Sequence, residues 1–500
     1  MIFRFFQVLW YSLKLLFTIL CFRLSKKLPP PELIKKYFES LGATFIKFGQ
    51  VLALRADFLP EEYCLSLLDL FDNVSPLNIS EINFEIKKRL GKLPTEIFVE
   101  FESKPLASAS FAQVHRARLL DVTVVVVKVQ RPNIVQKIKG DLRLISVAAW
   151  FLDRFNNLSS FSWSNFAKEF SHWTLAEIDY QNELNNLTLF YNNTKALGYI
   201  VSPRGYPEFS NQHILVEDHI EGVSLNDILR QIKTGKLDRE IFKRQNIDLH
   251  QTTQLIAYEL ARELFVDGFF HADPHPGNIL LLPNNKIGFI DFGICGCAVS
   301  NQKHFFNFLK YMVTHDYQTG AKHLLRFTSQ KLIAEFSSLI VSSKKVEMVD
   351  DFLNLLSSHF HQSIQDWDDP IRNNLNYLYL DYSSMFLQIL KFGSRYRIEL
   401  PSEMSVFLRA LTIVGMVLKL IDNDFRMEAS LAAFYQQYPI YKPNANLTNK
   451  PKLSTTVNNF ETASEKFYGW INYLSEIDPA LYSQVQNRLQ EFGIIKSAQV

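Results

Sequence analysis

Apolar positions recur along this chain in two rhythms, and their alternation predicts a mixed architecture. Val122 to Val129 (VTVVVVKV) is nearly all β-branched and predicts a strand buried on both faces. Ile214 to Val216 and Ile287 to Ile290 are short apolar runs between turn residues and predict two further strands. Gln251 to Val266 carries Leu255, Leu260 and Leu264 at helical spacing, with Gly268 just past its end, and predicts a helix. Helical spacing also runs from Glu32 to about Gly91, with turns near Pro60 and Ser75-Pro76. Pro94 then opens a stretch that reads as strands. A long helical region is expected from about Asn133 to Phe190, and the chain after Asn301 is mostly helical. Tyr441 to Asn458 turns polar and reads as a linker. The last forty residues hold one or two amphipathic helices, and no internal repeat is present.

The first segment, Met1 to Arg23, is strongly apolar, and Pro29-Pro30-Pro31 separates it from the rest of the chain. As a span it is interrupted by Arg4 and Lys14, and no unbroken apolar run reaches roughly 20 residues. As a signal peptide it lacks a small-residue cleavage site. It also suits a helix in the membrane interface, with Trp10, Tyr11 and the phenylalanines among headgroups and Arg23, Lys26 and Lys27 meeting anionic lipid. Packing on the protein itself is the remaining reading, and the membrane readings together are preferred to it. No C-terminal run is long and apolar enough to span a bilayer.

Composition narrows this further. The 500 residues are 47% hydrophobic, enough for two or three lobes. Net charge is +2, from 53 basic and 51 acidic residues, which gives no reason to expect nucleic acid. The 42 phenylalanines suit apolar ligands or lipid, and equally a packed helical core, which is the preferred reading. Four cysteines, Cys21, Cys64, Cys295 and Cys297, make no disulfide framework and no zinc pattern, so a reducing, cytosolic compartment is expected. Cys295-Gly296-Cys297 reads as small filler thiols.

The residues that carry chemistry cluster in the second half. His271-Ala272-Asp273-Pro274-His275-Pro276-Gly277-Asn278 holds the D-x-x-x-x-N spacing of a phosphotransferase loop, and Asp291-Phe292-Gly293 comes after it, beyond a short strand. Triphosphates need Mg²⁺, which prefers oxygen ligands. Asp291 offers a carboxylate and Asn278 a carbonyl oxygen, leaving Asp273 to orient or deprotonate an attacking hydroxyl or water. His275, between two prolines, reads as a structural hydrogen-bonder. Lys128, closing the valine-rich strand, can reach the α- and β-phosphates if a helix carboxylate holds it. Asp179, Glu183 and Asn186 share a helical face, and Glu177 lies off it unless the helix bends. Ahead of Lys128, Ala107-Ser108-Ala109-Ser110 stands where a phosphate-covering loop belongs, stiffer than a glycine-rich one.

Together these residues resemble the UbiB/AarF family of atypical kinases, the group that includes the mitochondrial coenzyme Q kinases. The resemblance runs from about Leu41 to Asp424. Its marks are Lys47-Phe48-Gly49-Gln50 with Arg55, Asp57 and Pro60 after it, the Ala-rich loop, the Glu177-x-Asp179 pair, and the His-Ala-Asp-Pro-His-Pro-Gly-Asn loop. It implies an α+β, protein-kinase-like bilobal fold, mostly helical, with an N-terminal helical extension over the active site. The implied divisions are an apolar membrane segment (1–28), the extension (29–95), an N-lobe (96–222), a C-lobe (223–440) and a linker with helical tail (441–500).

The resemblance also implies ATP and Mg²⁺ as cofactors, ATPase activity, a Lys47 motif that blocks ordinary protein phosphorylation, and support of ubiquinone or other isoprenoid-lipid synthesis on a membrane. Asp273, Lys128, Glu183 and Lys47 are the expected catalytic residues, with Glu183 pairing Lys128 and with Glu177 and Asp179 left to meet Lys47. Ala107, Ser108, Ala109, Ser110, Lys128, Gln50, Glu177, Asp179 and Asp218 are expected at the nucleotide, and Asn278 and Asp291 at the metal. The expected partners are membrane lipid or isoprenoid quinone intermediates and quinone-biosynthesis proteins, at the cytoplasmic face of the inner membrane.

Two departures stand out: no terminal spanning helices, and a hairpin, Leu119-Leu120-Asp121-Val122, without the expected turn glycine. Two rival functions are weighed. A small-molecule phosphotransferase of the aminoglycoside or choline type shares the loop but gives no reason for Lys47-Phe48-Gly49-Gln50. A lipid-binding pseudokinase scaffold has no need to keep Lys128, Asp273, Asn278 and Asp291 together.

Overall fold

A computed structural model describes residues 2–25, 28–53, 61–68, 70, 76–109, 111–155, 162–237, 239–297, 302–340, 344–372, 388–389, 392–393, 395–398, 402–442 and 460–495. In chain order the first 224 residues give α1 (Ile2–Leu24), α2 (Pro31–Leu41), α3 (Ala43–Ala53), α4 (Glu61–Leu68), α5 (Ile79–Leu90), α6 (Pro94–Ile97), β1 (Phe98–Phe101), β2 (Ala107–Ser108), β3 (Ala112–Leu119), β4 (Val124–Gln130), α7 (Ile134–Phe155), α8 (Trp163–Glu177), α9 (Tyr180–Thr194), β5 (Ile200–Val201), β6 (Ile214–Asp218) and β7 (Val223–Ser224). Then come α10 (Leu225–Lys233), α11 (Arg239–Arg244), α12 (Leu249–Arg262), β8 (Phe269–His271), β9 (Ile279–Leu282), β10 (Lys286–Phe289) and β11 (Cys295–Cys297). The remainder is helical: α13 (Gln302–Val313), α14 (Tyr317–Thr328), α15 (Gln330–Ser338), α16 (Lys345–Arg372), and the helices Ser402–Ile421, Met427–Gln437, Phe460–Ile477 and Pro479–Glu491.

The chain forms two compact units. The first holds Met1–Val223 together with Lys286–Ile294; the second holds Ser224–Asn285 and Cys295–Val500. Unit 1 is built on an antiparallel sheet in the order β1-β3-β4-β6, with β2 paired to β3. In β4 the residues Val125, Val127 and Val129 are buried, while Val124, Val126 and Lys128 on the other face are half-buried. The strand therefore alternates and is not buried on both faces as its composition suggests: one side meets Ile82, Ile86 and Tyr206 in the core, and the other presents Lys128. The hairpin before it turns without glycine because Val122 takes φ +65, and the Asp121 carboxylate accepts the Thr123 N–H at 3.1 Å. A β-branched residue in that conformation is an outlier.

The long helical region expected from about Asn133 to Phe190 consists of three helices, α7, α8 and α9. Ser162 caps α8, and Asp153, in the last turn of α7, accepts the Trp163 and Ser164 N–H groups. The chain breaks again at Ile178-Asp179, where Asp179 caps α9. A second core of unit 1 joins α2 and α3 to α7 and α8: Phe48 meets Phe166 and Phe170 edge-on, with centroids at 5.4 and 5.0 Å. Gly49 is required here, since a Cβ would lie 2.6 Å from Leu70 Cδ1 and 2.9 Å from Phe38 Cδ2.

In unit 2, β8 pairs antiparallel with β11. Gly296 lies so close over the Phe270 ring that a Cβ would stand 2.1 Å from Cζ, so the glycine of the Cys-Gly-Cys stretch is a packing requirement. Fully buried phenylalanines fill both units, among them Phe170 and Phe190 in the first and Phe305, Phe306, Phe308 and Phe336 in the second, as the packed-core reading expects. The expected linker falls largely on 443–459, outside the described residues, as do Arg55, Asp57 and Pro60. By length and composition, α1 is apolar enough to cross a membrane over Arg4–Phe22.

Candidate active site

In unit 1 a cluster of charged side chains is assembled around Lys128. Register places it opposite Val114 on β3 and Leu215 on β6. Its Nζ lies 2.5 Å from Glu183 Oε1 and 3.1 Å from Glu217 Oε1, with all three side chains largely buried. Glu183 stands in the first turn of α9, so the break that starts this helix at Tyr180 aims the carboxylate at the sheet. The same oxygen receives the Phe292 N–H at 3.4 Å, and Asn186, three residues further along α9, donates to the Phe292 carbonyl at 2.9 Å. The Phe292 ring packs on Phe190 with centroids 4.8 Å apart. The Asp-Phe-Gly segment is thus fastened to α9 through the Phe292 backbone on both sides and through its ring. Asp291 is held at φ +111, and its Oδ1 accepts the Gly293 N–H at 3.1 Å. Strained backbone of this kind persists where the surroundings over-determine it, and such residues concentrate at functional sites.

Electrostatically the cluster is unbalanced. Burial pulls the Lys128 ammonium down, but the charges of Glu183, Glu217 and Asp291 outweigh it and hold the group well above its ordinary value. Glu183 is pushed up to about 8 by burial and by the Asp291 and Glu217 charges, against the pull of Lys128. Glu217 is raised as well, chiefly by burial. The tendencies oppose one another, since the 2.5 Å contact favours an ionised Glu183. The cation is the firmer member: Lys128 stays charged, and three carboxylates around one ammonium leave surplus negative charge that a proton or a divalent cation relieves. The buried Glu217 Oε2 has no hydrogen-bond partner among the described residues.

Lys47 comes from α3 to Glu177 Oε1 at 2.9 Å, and Glu177 Cγ stands 3.5 Å from where a Cβ on Gly293 would lie. The Lys47–Glu177 ion pair thus brings the extension to the Asp-Phe-Gly turn. Asp179, expected beside it, instead accepts the Gln181 N–H at 3.1 Å as the α9 cap. Gln50 donates to the Leu70 carbonyl at 2.8 Å, which fastens the C-terminal part of α3. Asp218 accepts from the Tyr206 hydroxyl at 2.7 Å and the Arg204 N–H at 3.0 Å, a brace at the end of β6. Ala107 and Ser108 form β2, and Ala109 N–H closes on the Ala112 carbonyl at 2.9 Å. Ser110 lies outside the described residues.

Sequence reasoning missed two members. Arg131 grips this loop, donating to Ser108 Oγ at 2.8 Å and to the Ala109 carbonyl at 2.9 Å. Glu217 is the second carboxylate on Lys128, and an acidic residue inside so apolar a strand was its signal.

In unit 2, Asp273 and Asn278 lie on the loop between β8 and β9. Asn278 Nδ2 donates to the Asp273 carbonyl at 3.1 Å, while the His275 N–H donates to the same oxygen at 2.7 Å. His275 Nδ1 accepts the Gly277 N–H at 3.1 Å, in keeping with a structural role. The Pro276 carbonyl takes the Asn226 N–H at the start of α10. Upstream, Glu263 in the π-helical turn Glu263–Asp267 accepts the His271 N–H at 2.8 Å, fixing the strand that leads into the loop. Among the described residues no group of three or more His, Cys, Asp or Glu is arranged to hold a metal. Asp291 in unit 1 and Asn278 in unit 2 each carry an oxygen donor of the type that Mg²⁺ takes, a hard cation that completes its shell with phosphate and water.

A model of the ABC1 atypical kinase-like domain matches residues 69–324. An uncharacterized protein in the hydrogenase 1 5′ region of Clostridium pasteurianum is 29% identical over 392 residues, 78% of this chain and 68% of that protein. The chloroplastic Protein ACTIVITY OF BC1 COMPLEX KINASE 8 of Arabidopsis thaliana is 34% identical over 54% of this chain and 34% of its own length. AarF domain-containing protein kinase 1 of Xenopus tropicalis is 34% identical over 48% of this chain and 44% of its own length. The chain thus spans less than half of these two kinase-named relatives.

Proposed function

The chain belongs to the ABC1 atypical kinase-like family, that of the UbiB/AarF proteins, and from this premise we propose that it binds Mg-ATP and cleaves its γ-phosphate in support of isoprenoid quinone synthesis at a membrane. The observation that carries the reading is the buried Lys128–Glu183 pair, whose carboxylate also holds the Phe292 N–H. Such a pair positions an ammonium for the α- and β-phosphates, and the surplus negative charge beside it suits a divalent cation. Asp291 and Asn278 would hold Mg²⁺, which neutralises charge on the leaving phosphates. Asp273 takes the proton of the attacking hydroxyl or water as its oxygen bonds to the γ-phosphorus and ADP departs.

The Lys47–Glu177 pair beside Gly293 supports hydrolysis, or transfer to a small acceptor, over protein phosphorylation, because it sets a helix against the Asp-Phe-Gly turn. The chloroplastic names of plant relatives and the apolar α1 support a membrane setting in an organelle or bacterial cell.

Titration calorimetry tests the reading. Wild type should bind ATP only with Mg²⁺, and Asp291→Asn should weaken that binding roughly 30-fold or more, the consequence of losing ~2 kcal/mol or more at one charged partner. Undiminished magnesium-dependent binding by Asp291→Asn would exclude the assignment. Quinone content of cells lacking the protein, restored by wild type but not by Asp291→Asn, tests the pathway.

A further inference from the structure

The helix α1 has two faces of opposite fate. Toward the protein it presents Arg4, Val8, Tyr11 and Ser12, which share one side at helical spacing. Arg4 Nε and Nη2 donate to the two carboxylate oxygens of Asp141 at 2.8 and 2.9 Å, and Nη2 also reaches the Leu41 carbonyl. Asp141, on α7, is wholly buried. Ser12 and Tyr37 share a hydrogen bond of 2.8 Å, and Val8 and Tyr11 pack on the Phe38–Phe45 core. The opposite side carries Phe6, Leu9, Leu13, Leu16, Phe17 and Leu20, all exposed, Phe17 by 69%. A continuous apolar stripe of this size marks an interaction surface.

Two observations identify what covers it. Residues 1–31 contain five basic side chains and no acidic one, which is complementary to an anionic surface. Trp10, 69% exposed, and the exposed Lys14 flank the stripe, the arrangement of a helix lying among headgroups. Crossing a bilayer would carry Arg4 and Ser12 to depths about 12 Å apart, away from contacts that both make to the same unit.

We propose that α1 is an interfacial anchor: it lies flat on an anionic bilayer, its Phe6–Leu20 face inserted and its Arg4 face fixed to unit 1. The proposal specifies the membrane setting suggested above, and its test uses no catalysis, so the two fail separately.

The full chain, with its native cysteines replaced, is spin-labelled through Phe6→Cys, Leu13→Cys or Leu20→Cys and mixed with phosphatidylcholine vesicles carrying about one third phosphatidylglycerol. A flat helix puts all three labels at the same shallow depth, about 5–10 Å below the headgroup boundary. Depths that step by about 10 Å from one label to the next show a span and overturn the proposal. In flotation, Phe17→Glu should reduce vesicle binding at least about tenfold without shifting thermal unfolding, because its site is exposed. Undiminished binding by Phe17→Glu, equal binding to purely zwitterionic vesicles, or self-association of the chain in place of vesicle binding would each reject it.

Discussion

Each unit buries a cation among acidic side chains, and the two clusters are built to opposite specifications. In unit 2 the Arg262 guanidinium meets Glu259 through two bonds of 2.7 and 2.8 Å and Asp267 through two of 2.8 Å. Burial works against its charge, yet these four bonds hold the group far above its ordinary value. The fork matches two carboxylates and closes on itself. In unit 1 the Lys128 ammonium is a point charge with Glu183 at 2.5 Å, Glu217 at 3.1 Å and Asp291 acting on it from nearby, and Glu217 Oε2 is left without a hydrogen bond among the described residues. The difference is one of charge balance. The Arg262 fork is a scaffold that satisfies both carboxylates it meets, although the adjacent Glu263 Oε1 has no partner among the described residues, whereas three carboxylates act on the single Lys128 ammonium.

The contrast can be broken most sharply by removing each cation. Arg262→Leu strands the buried Glu259 and Asp267 carboxylates and should cost ~3–5 kcal/mol of stability, read by denaturant unfolding. Lys128→Met should cost clearly less near pH 7, because Glu183 readily takes up a proton there, while Mg-ATP binding in calorimetry is lost. Equal destabilisation by both changes would show the Lys128 cluster to be scaffold too.

Titration sharpens the comparison next. Glu183 binds its proton more tightly in the fold than when unfolded, so its stabilising contribution is complete below about pH 4.5 and fades as pH rises through about 8. The nucleotide-free protein should lose thermal stability over that window, and Glu183→Gln should flatten the loss. An identical slope in the variant assigns the effect elsewhere. The smallest change serves as a baseline outside both clusters. Val122→Gly relieves a β-branched residue at φ +65 in the turn that feeds Lys128, and should raise stability by ~0.5–1 kcal/mol with nucleotide affinity unchanged.

The sequence made the chemistry legible where spacing is local. Asp273 with Asn278 and Asp291 before Phe292 come from loop spacing; helix periodicity put Glu183 on one face with Asp179 and Asn186, and its expected pairing with Lys128 is realised at 2.5 Å. The mostly helical α+β, kinase-like class was readable through the family resemblance that these motifs carry. What was hidden depends on contacts distant in sequence. The break at Ile178-Asp179 removes Asp179 from the face it was expected to share, since a carboxylate that caps a helix is spent on backbone. Gln50 finds Leu70 and Arg131 finds Ser108, twenty and twenty-three residues away, where no periodicity points. Gly49 and Gly296 read as motif letters, but their cause is steric: Phe38 and Leu70 crowd one, and Phe270 the other.

One property of the chain path bears on how the protein is made. Unit 1 includes Lys286–Ile294, nine residues translated only after all of Ser224–Asn285. Those nine bring Phe289 and Phe292 onto Phe190, and Phe292 supplies the backbone groups gripped by Glu183 and Asn186. A nascent chain that has passed Val223 therefore owns the sheet and its lysine but lacks two rings of its interior. The Lys128 cluster is completed late, by a short stretch that follows the other unit's first helices in sequence, so synthesis sets an order in which unit 1 cannot close before residue 294.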